Sequence, residues 1–288
     1  MIAITGATGA LGFRVTHLLA DQGQTLRLLV RDAARAPQVD AEVAVIADYT
    51  DSDAARTGLT GCDMMLLVSA RESADRIAEH RSMIDAAVAA GVAKIVYISF
   101  QGAAPDATFT FARDHFHTEQ LIVGSGLRHV FLRDSLYQQG LAGLAGADGI
   151  IRGPGGDGAV AAVGHDDVSA VAARVLTDDR WDEQTLDVTG PAALTLTEVA
   201  AELTVVSGLP VHYELESEDQ AYASRSYYDA PPFEVKGWVT SYQAIAAGEM
   251  ATVSDTVEQL TGRAPQSFAD SLRAHPLWWS HLAPDEPS

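Results

Sequence analysis

Apolar and polar positions follow two periods in the first half of the chain. Short runs rich in aliphatic and β-branched residues, at 2–5, 26–30, 43–47, 64–68, 95–99 and 130–132, predict six strands. The run at 64–68 is continuously apolar, as a strand buried on both faces should be. Between them, 11–22, 74–90 and 111–123 carry helical spacing; Leu11, Val15, Leu18 and Leu19, for example, fall on one face. Strands alternating with helices predict βαβ units, hence an α/β protein with a doubly wound parallel sheet.

After residue 132 the rhythm changes. Residues 140–158 are glycine-rich and predict irregular structure. A helix is expected over 168–176 with Asp166 or Asp167 as N-cap, and a strand over 186–188 returning to the sheet. Thr195-Leu-Thr-Glu198 is a capping box opening a helix to about residue 206. A strand at 211–215 and a helix at 267–273 follow. The stretch 222–232, with three tyrosines and two prolines, predicts a loop or lid over a pocket, and the tail from Pro284 predicts disorder. The expected division is 1–135 as a nucleotide-binding part and 136–288 as a smaller α/β lobe on the substrate side, with about 160–190 returning to the sheet.

Composition narrows the function classes. No apolar run approaches the roughly 20 residues of a membrane span. Nineteen basic against thirty-nine acidic residues give a formal charge of −20, which repels nucleic-acid phosphates and leaves any phosphate-bearing ligand in need of a local basic pocket. Met1-Ile-Ala-Ile-Thr-Gly6 lacks a basic leader, and the single cysteine, Cys62, is expected as a buried small residue; both predict a cytoplasmic protein. A monomer and a homodimer are equally compatible with the sequence.

The sharpest signal is Thr5-Gly6-Ala7-Thr8-Gly9-Ala10-Leu11-Gly12, between the first strand and the first helix. Gly6 permits a tight turn, Gly9 lets backbone approach a pyrophosphate, and Gly12 lets helix and strand pack closely. The helix N-terminus then offers free N–H groups to phosphate, so Gly6, Thr8, Gly9, Ala10, Leu11 and Gly12 are expected to bind a dinucleotide on a Rossmann-type sheet. At the tip of the second strand stands Val30-Arg31-Asp32, with Arg35 four residues beyond Arg31. Guanidinium groups fork onto a 2′-phosphate, which favours NADPH; if Asp32 faces the ribose, NADH is preferred instead. Asp48 after the third strand is either an acceptor for the adenine amino group or a turn residue. Ser69 and Ala70, at the end of the fourth strand, line the expected cofactor path.

These residues, together with Ala47-Asp48-Tyr49, Ala90-Gly-Val-Ala-Lys-Ile-Val-Tyr-Ile-Ser99, His115-Phe-His-Thr-Glu119, Leu132-Arg-Asp-Ser-Leu-Tyr137, Gly155-Gly-Asp-Gly158 and Asp167-Val-Ser-Ala-Val-Ala-Ala-Arg-Val175, resemble the NmrA-like, atypical short-chain dehydrogenase/reductase families. Within them they resemble the NAD(P)H:quinone oxidoreductase type 2 and triphenylmethane reductase group, over most of residues 1–207. The resemblance implies a Rossmann domain, NADPH as hydride donor, and a cleft taking quinones, dyes or other conjugated acceptors. Some members of these families do no chemistry and sense the cofactor's redox state, so a redox sensor with a protein partner stays open. So does a biosynthetic reductase or isomerase acting on an aromatic or polyketide intermediate.

Typical short-chain dehydrogenases use Tyr-x-x-x-Lys, and His115-x-x-x-Glu119 stands at what looks like the matching place. Residues four apart share a helix face, so Glu119 is expected to orient His115 or raise its pKa, making His115 a candidate proton donor. Tyr137, just past the sixth strand, is a second candidate. Ser99, at the carboxyl edge of the sheet, is a candidate contact to nicotinamide or substrate. Asp134 replaces the Asn or Pro that the family pattern leads one to expect. His115 and His117, two apart on a helix, do not converge on a metal. The aromatic segment Tyr222, Tyr227, Tyr228, Phe233 and Trp238 favours a flat, apolar substrate.

Overall fold

The computed structural model describes residues 1–283. Strands β1 (Ile2–Thr5), β2 (Leu26–Val30), β3 (Glu42–Val45), β4 (Met64–Leu67), β5 (Lys94–Phe100) and β6 (Arg128–Asp134) are separated by helices α1 (Ala10–Asp21), α2 (Ser52–Leu59), α3 (Arg76–Ala90) and α4 (Thr110–Ser125). The second half carries α5 (Gln138–Ala142), β7 (Ile150–Gly153), β8 (Ala159–Val160), α6 (His165–Leu176) and β9 (Gln184–Val188). It continues with β10 (Leu194–Thr195), α7 (Leu196–Ser207), β11 (His212–Leu215), α8 (Glu218–Arg225), α9 (Pro232–Ala246), α10 (Thr256–Thr261) and α11 (Phe268–Ala274).

Seven strands form one parallel sheet in the order β3-β2-β1-β4-β5-β6-β9. The order reverses between β1 and β4, the switch point beside which open α/β sheets bind ligands. Side chains alternate across the pleat. Ile2, Ile4, Leu66, Val96 and Ile98 meet Leu11, Val15 and Leu19 of α1 and Val168, Val171 and Val175 of α6 on one face. Ala3, Met65, Leu67, Ile95 and Tyr97 meet Leu59 of α2, Met83 and Ile84 of α3 and Ile122 of α4 on the other. A separate apolar cluster, built by Leu141, Ile151, Val160, Leu196, Val199, Tyr242, Ile245, Phe268 and Leu272, lies beyond the sheet. Among the described residues no helix is long and apolar enough to cross a membrane.

Several expectations change. The spacing gave no helix at α2, whose short run includes Thr57 and Gly58, poor helix formers; Asp51 caps it by accepting from Ala54 N. The segment 140–158 holds a helix end and β7, which pairs in parallel with β11. Helix α6 starts at His165 with Gly164 as N-cap, not Asp166 or Asp167. Those aspartates lie in its first turn, where the helix dipole favours them, and buried Asp167 accepts from Arg263 Nη1 at 2.5 Å and Gln266 N at 2.8 Å. Residues 222–232 are mostly helical: Tyr222 belongs to α8, and Pro232 occupies the first turn of α9, where a missing N–H costs nothing. Cys62 is buried. The expected disordered tail from Pro284 lies outside the described residues.

Candidate active site

Gly6 leaves β1 at φ 62°, a left-handed conformation that side chains resist, and Val68 closes behind it. Gly9 N donates to Gly6 O at 2.9 Å and Gly9 caps α1 in an extended conformation. A Cβ on buried Gly12 would stand 2.3 Å from Gly6 O, so turn and helix meet backbone to backbone. No side chain caps α1 and no acidic residue sits in its first turn. The first N–H groups, beside exposed Gly9 and Ala10 and half-buried Thr8, therefore lack intrahelical acceptors and face no competing carboxylate. That cradle fits a pyrophosphate.

At the tip of β2, Asp32 turns its carboxylate onto Ala34 N at 2.9 Å, capping the single turn Ala33–Arg35. Arg31 and Arg35 are exposed and, among the described residues, make no side-chain hydrogen bond or ion pair. Asp48 likewise holds its own turn, accepting from Thr50 N at 2.7 Å and from the Thr50 hydroxyl, which keeps it below the usual carboxylate range. Ser69 and Ala70 are half-buried at the end of β4. Ala70 is gripped twice: its N–H donates to His80 Nε2 at 2.8 Å, and its carbonyl accepts from Arg76 Nε at 2.9 Å.

The expected His115–Glu119 pair is not made. Arg76 can only donate, so its Nη2 at 3.2 Å makes His115 Nε2 an acceptor; His115 Nδ1 then carries the ring proton and donates to Tyr97 Oη at 2.9 Å. His115 is 6% exposed, and burial followed by Arg76, His80 and Arg133 pushes its pKa well down rather than up. A neutral ring with both nitrogens engaged is no proton donor. Glu119 turns the other way, to Ser99 Oγ at 2.6 Å and to Arg133 in a two-pronged pair at 2.9 and 2.6 Å. Ser99 is fully buried against that carboxylate, so it does not face the cleft as expected. Glu119 binds α4 to β5 and β6.

Tyr137 does reach a cavity. It stacks on His165 with ring centroids 4.0 Å apart and planes 19° apart. The two wall a cavity of about 540 Å³ with Leu136, Leu141, Leu144, Ser241, Tyr242 and Ile245. His165 is held neutral: burial and then Arg14 bring its pKa down to about 4. The lining thus carries no charge near neutral pH. His165 ties the cavity to α6, which packs on α1, the helix that the glycine turn opens; there Arg14 Nε meets Asp166 at 2.5 Å. The aromatic segment expected over the substrate is absent from the lining. Tyr227 and Tyr228 are exposed and meet each other at a tilt, ring centroids 4.0 Å apart, and Trp238 meets Tyr228 edge-on at 5.5 Å.

A family model described as NAD(P)H-binding matches residues 6–179, which include the glycine turn, the β2 tip, Tyr137 and His165. The chain belongs to the NAD(P)H-binding family. It is 33% identical to quinone oxidoreductase 2 of Escherichia coli over 94% of this chain and 97% of that one. It is 31% identical to an NAD(P)H azoreductase of Xenophilus azovorans over 96% and 98%. The crystal structure of an NADPH-dependent quinone oxidoreductase from Escherichia coli complexed with NADPH superposes with TM-score 0.88 at 32% identity, covering 96% of this chain and all of the other.

For this member of the NAD(P)H-binding family, sequence reasoning missed four residues around the site. His165 was missed because the expected helix began three residues too late, with the acidic pair taken as its cap and not as its first turn. Arg76 and His80 were not singled out within the helix expected over 74–90, and they are buried at 3% and 0% exposure. Tyr242 stood in a stretch without strong apolar periodicity, and no local signal pointed to it.

Proposed function

We propose that this chain is an NADPH-dependent reductase that passes hydride to a quinone-like or other conjugated small molecule held between Tyr137, His165 and Tyr242. The observation that carries the reading is an uncharged cavity with an aromatic and aliphatic lining, walled by His165 of α6, in a protein whose α6 packs on the helix opened by a glycine turn fit for pyrophosphate. Such a lining suits a neutral flat acceptor, which gains from leaving water and asks for few polar contacts. The quinone and azo compounds in the names of its relatives belong to that chemical class. Residues 1–135 act as the nucleotide-binding part and 136–288 as the smaller substrate-side lobe, apart from about 160–190, where α6 and β9 join the nucleotide-binding sheet.

Gly6, Thr8, Gly9, Ala10, Leu11 and Gly12 would hold the pyrophosphate. Arg31 and Arg35 would take the 2′-phosphate, a role left to them because Asp32 is committed to its own turn. Ser69 and Ala70 would line the cofactor path. When bound, the reduced nicotinamide supplies the hydride. Tyr137, whose ring walls the cavity, would supply the proton, and holding both reactants in register would deliver much of the rate. The test is NADPH oxidation followed by absorbance against menadione, other quinones, azo dyes and triphenylmethane dyes. Turnover supports the reductase; tight NADP(H) binding without turnover of any acceptor supports a redox sensor instead.

A further inference from the structure

Asp134 ends β6 beneath the cavity wall. It is 3% exposed, and its Oδ2 lies 2.5 Å from Tyr137 Oη. Among the described residues it has no ion-pair partner. The charged and titratable groups around the two side chains are few. Arg76 of α3 acts on Asp134 from a distance: its Nε donates to Ala70 and its Nη2 to His115, while its buried Nη1 has no hydrogen-bond partner among the described residues. Burial, then Asp134 and, by charge alone, Glu72 before α3 push the Tyr137 hydroxyl well above its ordinary value, so it keeps its proton at rest, and neutral His165 of α6 stacks on the tyrosine ring with Arg14 of α1 behind. A buried carboxylate without a cation is costly, so the neutral acid is favoured. Burial outweighs the Tyr137 bond and Arg76 and raises the carboxyl to about 8.

The direction of the Asp134–Tyr137 hydrogen bond depends on that proton. Beside a carboxylate, the Tyr137 hydroxyl must donate inward. Beside a carboxylic acid it can accept, and its own hydrogen is free to turn elsewhere. We propose that Asp134 is a positioning residue: as a neutral acid it releases the Tyr137 proton toward the reduced acceptor and then replaces it. This rests on the reductase reading above. The acceptor gains a hydride from the reduced nicotinamide and a proton from Tyr137 Oη. The Asp134 O–H breaks as the Tyr137 O–H re-forms, and the carboxylate regains its proton from water. An ionised Asp134 holds the Tyr137 proton and sets negative charge beside an acceptor that is gaining it.

Asp134→Asn tests this, since an amide donates to Tyr137 Oη without titrating. We expect wild-type kcat/KM for menadione to fall about tenfold per pH unit above about pH 8. In Asp134→Asn that alkaline limb disappears, and Tyr137→Phe is slow and flat at every pH. A second measurement needs no cofactor. The unfolded carboxyl ionises near about 3.9 and the folded one near 8, so wild-type stability falls as pH rises through that interval. The thermal-unfolding advantage of Asp134→Asn over wild type therefore widens between about pH 5 and pH 8. Turnover with the same alkaline limb in Asp134→Asn, or an unfolding gap that stays constant with pH, overturns the role of Asp134. A widening gap with no turnover of any acceptor sinks the reductase reading and the proton delivery that rests on it.

Discussion

Replacing Gly12 by alanine separates the phosphate cradle from the rest of the fold. The new Cβ would stand 2.3 Å from Gly6 O and 2.6 Å from Gly6 C, both backbone atoms, whereas ordinary contact begins near 3.4 Å. Helix α1 and the turn must therefore part by about 1 Å, and neither side has a flexible group that can yield. Such overpacking costs about 1–3 kcal/mol of folding stability. The same movement carries the first N–H groups of α1 out of hydrogen-bonding range of a phosphate oxygen. One lost charge-assisted bond, about 1.5–3 kcal/mol, lowers NADPH affinity by roughly 10- to 150-fold. Gly9→Ala is the control: its Cβ meets only Gly6 O, at 3.3 Å, and its φ of −91° suits alanine. It should unfold close to the wild-type temperature yet bind NADPH more weakly, because its methyl stands on the exposed face of the cradle. Thermal unfolding and calorimetric titration with NADPH read the two effects separately. If Gly12→Ala unfolds and binds as wild type does, α1 does not hold the pyrophosphate in the way described.

Three further outcomes follow from the same geometry. Arg31→Ala should weaken NADPH by roughly 10- to 100-fold and leave NADH within about threefold, since only the 2′-phosphate loses its partner; equal losses in calorimetry would refute the cofactor preference. His115→Phe should keep turnover within about twofold while costing about 1–3 kcal/mol in denaturant unfolding, because Arg76 and Tyr97 lose their partner; a tenfold fall in rate in a folded variant would restore His115 as the proton donor. Glu119→Ala should cost about 3–5 kcal/mol, since it strands the half-buried Arg133 guanidinium; a variant as stable as wild type would show that the Arg133 pair contributes nothing.

The sequence by itself determined the parallel sheet, its six leading strands, the βα glycine turn, the capping box at Thr195 and the arginine at the β2 tip. Each is written within a few neighbouring residues: a period of two or 3.6, a glycine where a Cβ cannot fit, a hydroxyl three residues before a glutamate. The order of the strands along the sheet, the apolar cavity and the fate of His115 were decided only by tertiary structure. Helix spacing put His115 and Glu119 on the same side of α4, yet β5 and β6 offered Glu119 a guanidinium and a hydroxyl, and α3 offered His115 the buried Arg76. Burial then set the charge states, driving His115 and His165 neutral and keeping a proton on Asp134. A residue's solvation and distant partners have no period along the chain, so no window of sequence records them.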